Sequence, residues 1–153
     1  MTLLDKITAA VELGRTGAPE TARTRLTELW EEAGDDQFAR CTVAHYLADL
    51  QAETADELTW DLRALQAAGV AEPAEGVPFT VGAMLPSLHL NLADDYRRLG
   101  DAAKAEEHLG IARARLGVLG DDAYGDLMRS AVEHVTAALA AGSTKRLASN
   151  PST

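Results

Sequence analysis

The chain has 153 residues and a formal net charge of −10, with 46% hydrophobic, 25% charged and only 5% aromatic residues. That length suits a single domain with a real core, the composition excludes a disordered chain, and the negative charge excludes non-specific binding to nucleic acid or anionic membrane. The one cysteine, Cys41, cannot pair within the chain, so a reducing, cytoplasmic setting is expected.

The opening stretch, MTLLDKITAAVELGRTG, has no basic region followed by an apolar one, so no signal peptide is expected. No apolar run approaches the length that spans a bilayer, so no membrane association is expected. Thr2 to Arg15 reads as a helix with Leu3, Ile7, Ala10 and Leu13 on one face. Thr16-Gly17 breaks it, and Pro19 suits the first turn of the next helix. That second helix turns Ala22, Leu26 and Leu29 inward and stops at Gly34. Asp35-Asp36 opens a third helix carrying Phe38, Val43, Leu47 and Leu50. Thr54 opens a fourth, with Leu58, Leu62 and Leu65 expected inward and Gly69 as its end.

Residues 71–85 are punctuated by Pro73, Gly76 and Pro78 and read as an insertion, longer than ordinary helix connections. Residues 80–85 can add a turn before Pro86, with a kink there. From Pro86 to Leu119 the pattern sharpens. Leu88, Leu92, Tyr96 and Leu99 recur at spacings of three and four, Gly100 can close the helix in the left-handed conformation, and Asp101 can cap the next. The second half sets Ala105, Leu109, Ala112 and Leu116 on one face, with small Ala105 and Ala112 allowing close helix approach. Asp121-Asp122 then starts a last helix to about Ala141, with Leu127, Ala131, His134 and Val135 expected inward. Residues 143–153 are rich in Ser, Thr, Asn and Pro and read as a disordered tail.

The 86–119 unit has the length of one tetratricopeptide repeat, about 34 residues, and resembles its pattern. Leu92, Tyr96 and Ala105 match outright, Ala93 and Leu109 are permitted substitutes, and His89 and Gly117 depart from the pattern. Placing Gly17 over Gly100 aligns Ala22 with Ala105 and Leu26 with Leu109, which supports a first repeat. The chain is also similar to small actinobacterial tetratricopeptide proteins over 42–51, 58–65 and 87–101, a bacterial likeness that implies no particular activity. The expected fold is all-α: a right-handed stack of antiparallel helical hairpins. Repeats fall at about 3–36, 37–70 and 86–119, with a capping helix at about 121–141, all within one domain over 1–142.

The resemblance implies a concave groove lined by the first helix of each hairpin. Carried onto this chain, the groove positions include Cys41, His45 and Asp49 from the second repeat and Ser87, Asn91, Asp94, Arg97 and Arg98 from the third. The clamp that some family members use on chaperone C-terminal carboxylates would fall on Ile7, Val11, Thr42, Ser87 and Asn91, so its basic residues are missing. Cys41, His45 and Asp49 lie at i, i+4 and i+8, which places a thiol, an imidazole and a carboxylate on one helix face. Asp49 can fix the tautomer of His45, and His45 can then act as a base. The plainer reading is a polar groove histidine beside a small buried cysteine. Two ligands do not make a zinc site, so no metal is expected, nor any cofactor.

Phosphate-binding glycine loops, HExxH, paired CxxC and GxSxG are absent from the sequence. The expected function is therefore non-enzymatic: a module that binds a peptide or protein partner in its groove, with homo-oligomerisation open. The rival is a small-molecule site or enzyme at His45, Asp49 and His89, covered by the 71–85 insertion. A further rival is a self-associating structural module.

Overall fold

The computed structural model describes residues 1–71 and 81–148. It divides into two compact units, Met1–Gly76 and Val77–Thr153. The described residues outside loops are all helical, and each helix packs against its neighbour in sequence as a pair. That is the all-α arrangement of stacked helical hairpins.

The first unit holds four helices: α1 (Leu3–Arg15), α2 (Pro19–Glu32), α3 (Gln37–Asp49) and α4 (Thr54–Ala68). Local chemistry sets their ends. Thr2 Oγ1 accepts from the Asp5 amide at 3.1 Å while Asp5 Oδ2 accepts from the Thr2 amide at 2.9 Å, a reciprocal cap. Pro19 occupies the first turn of α2. Gly17 turns the chain between α1 and α2 at φ +95°, a conformation that costs an L side chain energy. Asp36 caps α3 by accepting from the Ala39 amide at 3.0 Å.

The α1–α2 contact is close because both sides are small. Ala22 is fully buried, and a Cβ built on Gly14 would lie 3.4 Å from the Ala22 Cβ. Ile7, Ala10, Leu26, Leu29, Ala33, Ala39, Val43 and Leu47 form the core of the unit, with Trp30, Tyr46 and Trp60 packed against it. Burying each leucine stabilises the fold by about 1.5–3 kcal/mol.

The inward face of α4 differs from the leucine stripe. Leu62 is 41% exposed, whereas Glu57, Asp61, Ala64, Ala67 and Ala68 are buried. The alanines present a flat surface that lets α3 and α4 approach closely, and close approach rather than side-chain size selects the face that packs.

The second unit holds α5 (Val81–Arg98), α6 (Ala102–Ala114), a 3-10 turn (Leu116–Val118) and α7 (Ala123–Ala140). Helix α5 begins five residues before the expected start of the repeat and continues through Pro86, which is buried inside it. Gly100 closes α5 at φ +85°, and Asp101 caps α6 through the Lys104 amide at 3.1 Å. Ala105 is fully buried where α5 and α6 pair. Leu90, Ala93, Leu109, Ala112, Met128, Ala131, Val132 and Val135 form this core.

Helix α7 packs on both α5 and α6, as a covering helix must. Ala131 and Val135 are buried as expected, but Leu127 is 47% exposed and His134 is exposed, while Met128 and Val132 are buried in their place. The N-terminal turn of α7 explains the shift. Asp122 caps it through the Gly125 amide at 2.8 Å. A Cβ on Gly125 would collide with the Gly120 carbonyl oxygen and press on the Arg129 guanidinium. The loop backbone therefore lies directly on position 125, and that contact fixes which residues of α7 turn inward. Residues 143–148 of the expected tail lie against α5, with Leu147 packed on the core.

Candidate functional site

The sequence-derived positions fall in both units, and nearly all are interior. On α3, Cys41 is fully buried, His45 is 8% exposed, and Asp49 is half-buried one turn further on. The shared face expected from their spacing is thus present, but it points into packed structure. Burial pushes the Cys41 thiol up to about 12, so it carries no thiolate at neutral pH. Burial also pulls the His45 pKa below its ordinary value, while the Asp49 charge works against that shift. The imidazole packs beside Tyr46, with ring centroids 5.5 Å apart. Its Nδ1 has no hydrogen-bond partner.

On α5, Ser87, Asn91, Asp94 and Arg97 are all buried. Asp94 gathers two arginines. Its Oδ1 accepts from Arg97 Nε at 3.0 Å and Nη2 at 2.7 Å, and its Oδ2 accepts from Arg98 Nε at 3.0 Å. Arg98 Nη2 also donates to Asp95 Oδ1 at 3.0 Å. Arg97 reaches past the helix, donating from Nη1 to the Ser143 carbonyl at 2.7 Å and from Nη2 to the Lys145 carbonyl at 2.8 Å. Arg97 is therefore a clasp on the chain after α7. Asn91 stands apart from this network: neither its amide nitrogen nor its oxygen has a hydrogen-bond partner.

His89, named with His45 and Asp49 in the enzyme reading, sits in a different pairing. Its Nδ1 lies 3.1 Å from Nδ1 of His108 on α6, so one imidazole donates and the other accepts. The His108 ring stacks on His89 at 5.3 Å and on Tyr96 at 5.6 Å. Burial lowers the His89 pKa to about 4, helped by the neighbouring His108 and Arg115. Burial also lowers that of His108, with Lys104 reinforcing and Glu107 opposing the shift. Both rings are neutral at pH 7 and fill the place where the repeat pattern has a large aromatic. Nothing in the sequence pattern singled out His108. Its signal lay across the hairpin, nineteen positions from His89, and no spacing rule within one helix reveals that. Residues 72–80 of the insertion expected to cover the pocket lie outside the described residues.

A second arrangement escaped the sequence reading because it joins three helices of the first unit. A groove of about 560 Å³ runs between the α2–α3 turn and the end of α4, lined by Trp30, Asp35, Gln37, Arg40, Arg63 and Gln66 among others. The Arg40 guanidinium lies 3.6 Å from the Trp30 ring centroid, and that of Arg63 lies 4.5 Å from Trp60. The two indoles meet edge to face at 5.2 Å and 88°. Trp60 and Arg63, one helical turn apart, were readable as a pair. Trp30 and Arg40 meet only once α2 and α3 have docked.

Among the described residues, no group of three or more His, Cys, Asp or Glu side chains is arranged to hold a metal ion, and no helix is long and apolar enough to cross a membrane. Comparison of the chain with protein-family models, with curated proteins and with solved structures returned no match.

Proposed function

We propose that this protein is a non-catalytic module, akin to tetratricopeptide-repeat proteins, that binds an extended peptide or protein segment through the first helices of its hairpins. One observation carries the reading. His45 on α3 and Asn91 on α5 keep buried polar atoms with no partner among the described residues. Such an atom costs about 1–3 kcal/mol when left unsatisfied. An apolar residue at either position would avoid that cost. Both atoms are buried in the structure, so a partner reaches them only by opening the helix packing above them, where a peptide backbone offers both donors and acceptors. Both positions are ones that the repeat resemblance assigns to the groove. The reading of a small-molecule site or enzyme at His45, Asp49 and His89 has less support, because His89 is engaged with His108 on α6.

The test uses the full-length chain with each orphan removed in turn. A partner recovered by crosslinking is purified and its binding segment synthesised. Asn91→Leu and His45→Leu should then weaken binding of that segment by about tenfold or more, at about 1.4 kcal/mol per tenfold, while keeping wild-type helicity. Wild-type affinity in both variants would refute the reading. Turnover of a small molecule that disappears in His45→Leu at unchanged affinity would replace it with the enzyme.

A further inference from the structure

The groove on the first unit is chemically unlike the rest of the chain. The protein carries 24 Asp and Glu against 14 Lys and Arg, yet the groove lining holds two arginines and one acid, Asp35. Neither Arg40 nor Arg63 has a carboxylate within 4.0 Å among the described residues, although other basic side chains, such as Lys6, Arg23, Arg97 and Arg129, pair with acids. Arg113 and Arg115 also lack an ion pair among the described residues; what sets Arg40 and Arg63 apart is that both line one groove.

Their donors are also unspent. Arg40 uses only Nη1, which donates to the Trp30 and Gly34 carbonyls at 3.3 Å each. A guanidinium has five N–H donors, and those on Nε and Nη2 have no acceptor among the described residues. Arg63 makes no hydrogen bond to any described residue and is exposed. Both guanidiniums are nevertheless held in place, because each lies over an indole and the two indoles brace one another. Planar, charged, positioned forks with free donors are what a carboxylate accepts from in pairs. Gln37 and Gln66 add neutral amides on the same lining.

We infer that this groove is a binding site for an acidic peptide segment, with side-chain carboxylates seated on Arg40 and Arg63 and an apolar side chain lying against Trp30. A peptide fits better than a small molecule, because the groove lies open along the surface, whereas small-molecule sites enclose most of their ligand. The site is separate from His45 and Asn91, so it adds a second contact surface to the reading proposed above and does not depend on it.

The two tryptophans of the chain are Trp30 and Trp60, so intrinsic fluorescence reports on this groove alone. The full-length protein is titrated with an acidic peptide of glutamates around one phenylalanine, both ends capped to remove the terminal charges. The expected result is a saturable change in tryptophan emission that weakens with added salt. Arg63→Glu should weaken it by about tenfold or more with helicity unchanged, since Arg63 is exposed and bonds to nothing. Arg40→Gln should weaken it too, and Arg63→Gln keeps the test open if Arg40→Gln fails to fold. The matching peptide with lysine for glutamate should bind Arg63→Glu better than it binds wild type. No saturable change, equal binding of a glutamine peptide, or equal affinity in Arg63→Glu would each overturn the inference. Free glutarate binding as tightly as the peptide would also overturn it, by showing a small-anion site. Loss of acidic-peptide binding in Arg63→Glu alongside normal binding in Asn91→Leu supports this site whatever becomes of the other.

Discussion

Replacing Arg97 by Met tests the buried clasp on α5. The substitution keeps most of the side-chain stem and removes the charge and every donor. Arg97 and Asp94 have side chains only 1% and 4% exposed, so water does not replace what is lost. Removing one partner of a buried ion pair costs about 3–5 kcal/mol, because the other charge is left in a poorly solvated place. Here Arg98 Nε remains on Asp94 Oδ2 at 3.0 Å, so the carboxylate keeps one cation and the charge penalty falls to the lower end. The Ser143 and Lys145 carbonyls lose charge-assisted donors at 2.7 and 2.8 Å and gain nothing. A loss of about 3 kcal/mol follows, which for a chain of this size lowers Tm by about 6–12 °C. Urea denaturation followed by far-UV circular dichroism measures it, and hydrogen exchange reads the amides of residues 143–148. Those amides should exchange much faster in the variant while the α6 amides change less. Arg97→Lys should fall between wild type and Arg97→Met, since an ammonium keeps the charge but not the fork. A loss below about 1 kcal/mol, the scale of an exposed pair, or unchanged exchange after residue 142, would show that Arg97 holds neither Asp94 nor the chain end.

Ala105→Leu should destabilise the chain by about 1–3 kcal/mol, because it overpacks the fully buried contact where α5 meets α6; a denaturation midpoint equal to wild type would refute that contact. Gly125→Ala should cost about 2–3 kcal/mol in the same assay, because the new methyl meets backbone rather than a movable side chain, and an unaltered midpoint would mean the Gly120 loop yields. His89 titrates at about 4 in the folded chain against 6.5 ordinarily, so the unfolded state takes up its proton first. The stability held by neutral His89 is therefore complete above about pH 6.5, falls as the pH drops towards about 4, and levels off below that. His89→Phe should show a smaller loss of stability than wild type between about pH 7 and about pH 4.5, and equal losses in the two proteins would exclude a role for His89 in that slope.

Features set by a few adjacent residues were legible before the structure. Asp36, Asp101 and Asp122 cap the helices they precede, and Gly17, Gly34 and Gly100 adopt positive φ where turns were expected. Hairpin pairing was legible because short turns leave neighbouring helices little choice. Helix phase was not. A stripe of leucines predicted the buried face of α4, which packs instead through alanines beside Glu57 and Asp61, and α7 buries Ala131 and Val135 as expected but Met128 and Val132 in place of Leu127 and His134. Those choices depend on the shape of the neighbouring element, which hydrophobic spacing does not encode. The same limit applied to the site. Cys41, His45 and Asp49 share a face as their spacing required, but their depth was not readable. Arg97 was read as a groove residue, whereas it is buried against Asp94 and two of its acceptors lie beyond α7, 46 and 48 positions away. The pairing of Arg40 with Trp30 needed the α2–α3 turn to be folded first.

The sealed state of Cys41 makes the protein a convenient chassis for site-specific labelling. Its single thiol is fully buried, and burial pushes its pKa up to about 12, so maleimide or disulfide reagents at neutral pH react with the wild-type chain only as it opens. A cysteine introduced at an exposed position, such as Leu62 or Leu127, would then be the reactive thiol. A dye or spin label could be placed on either unit without first mutating Cys41, and slow labelling of the wild-type chain would serve as a clock for its opening.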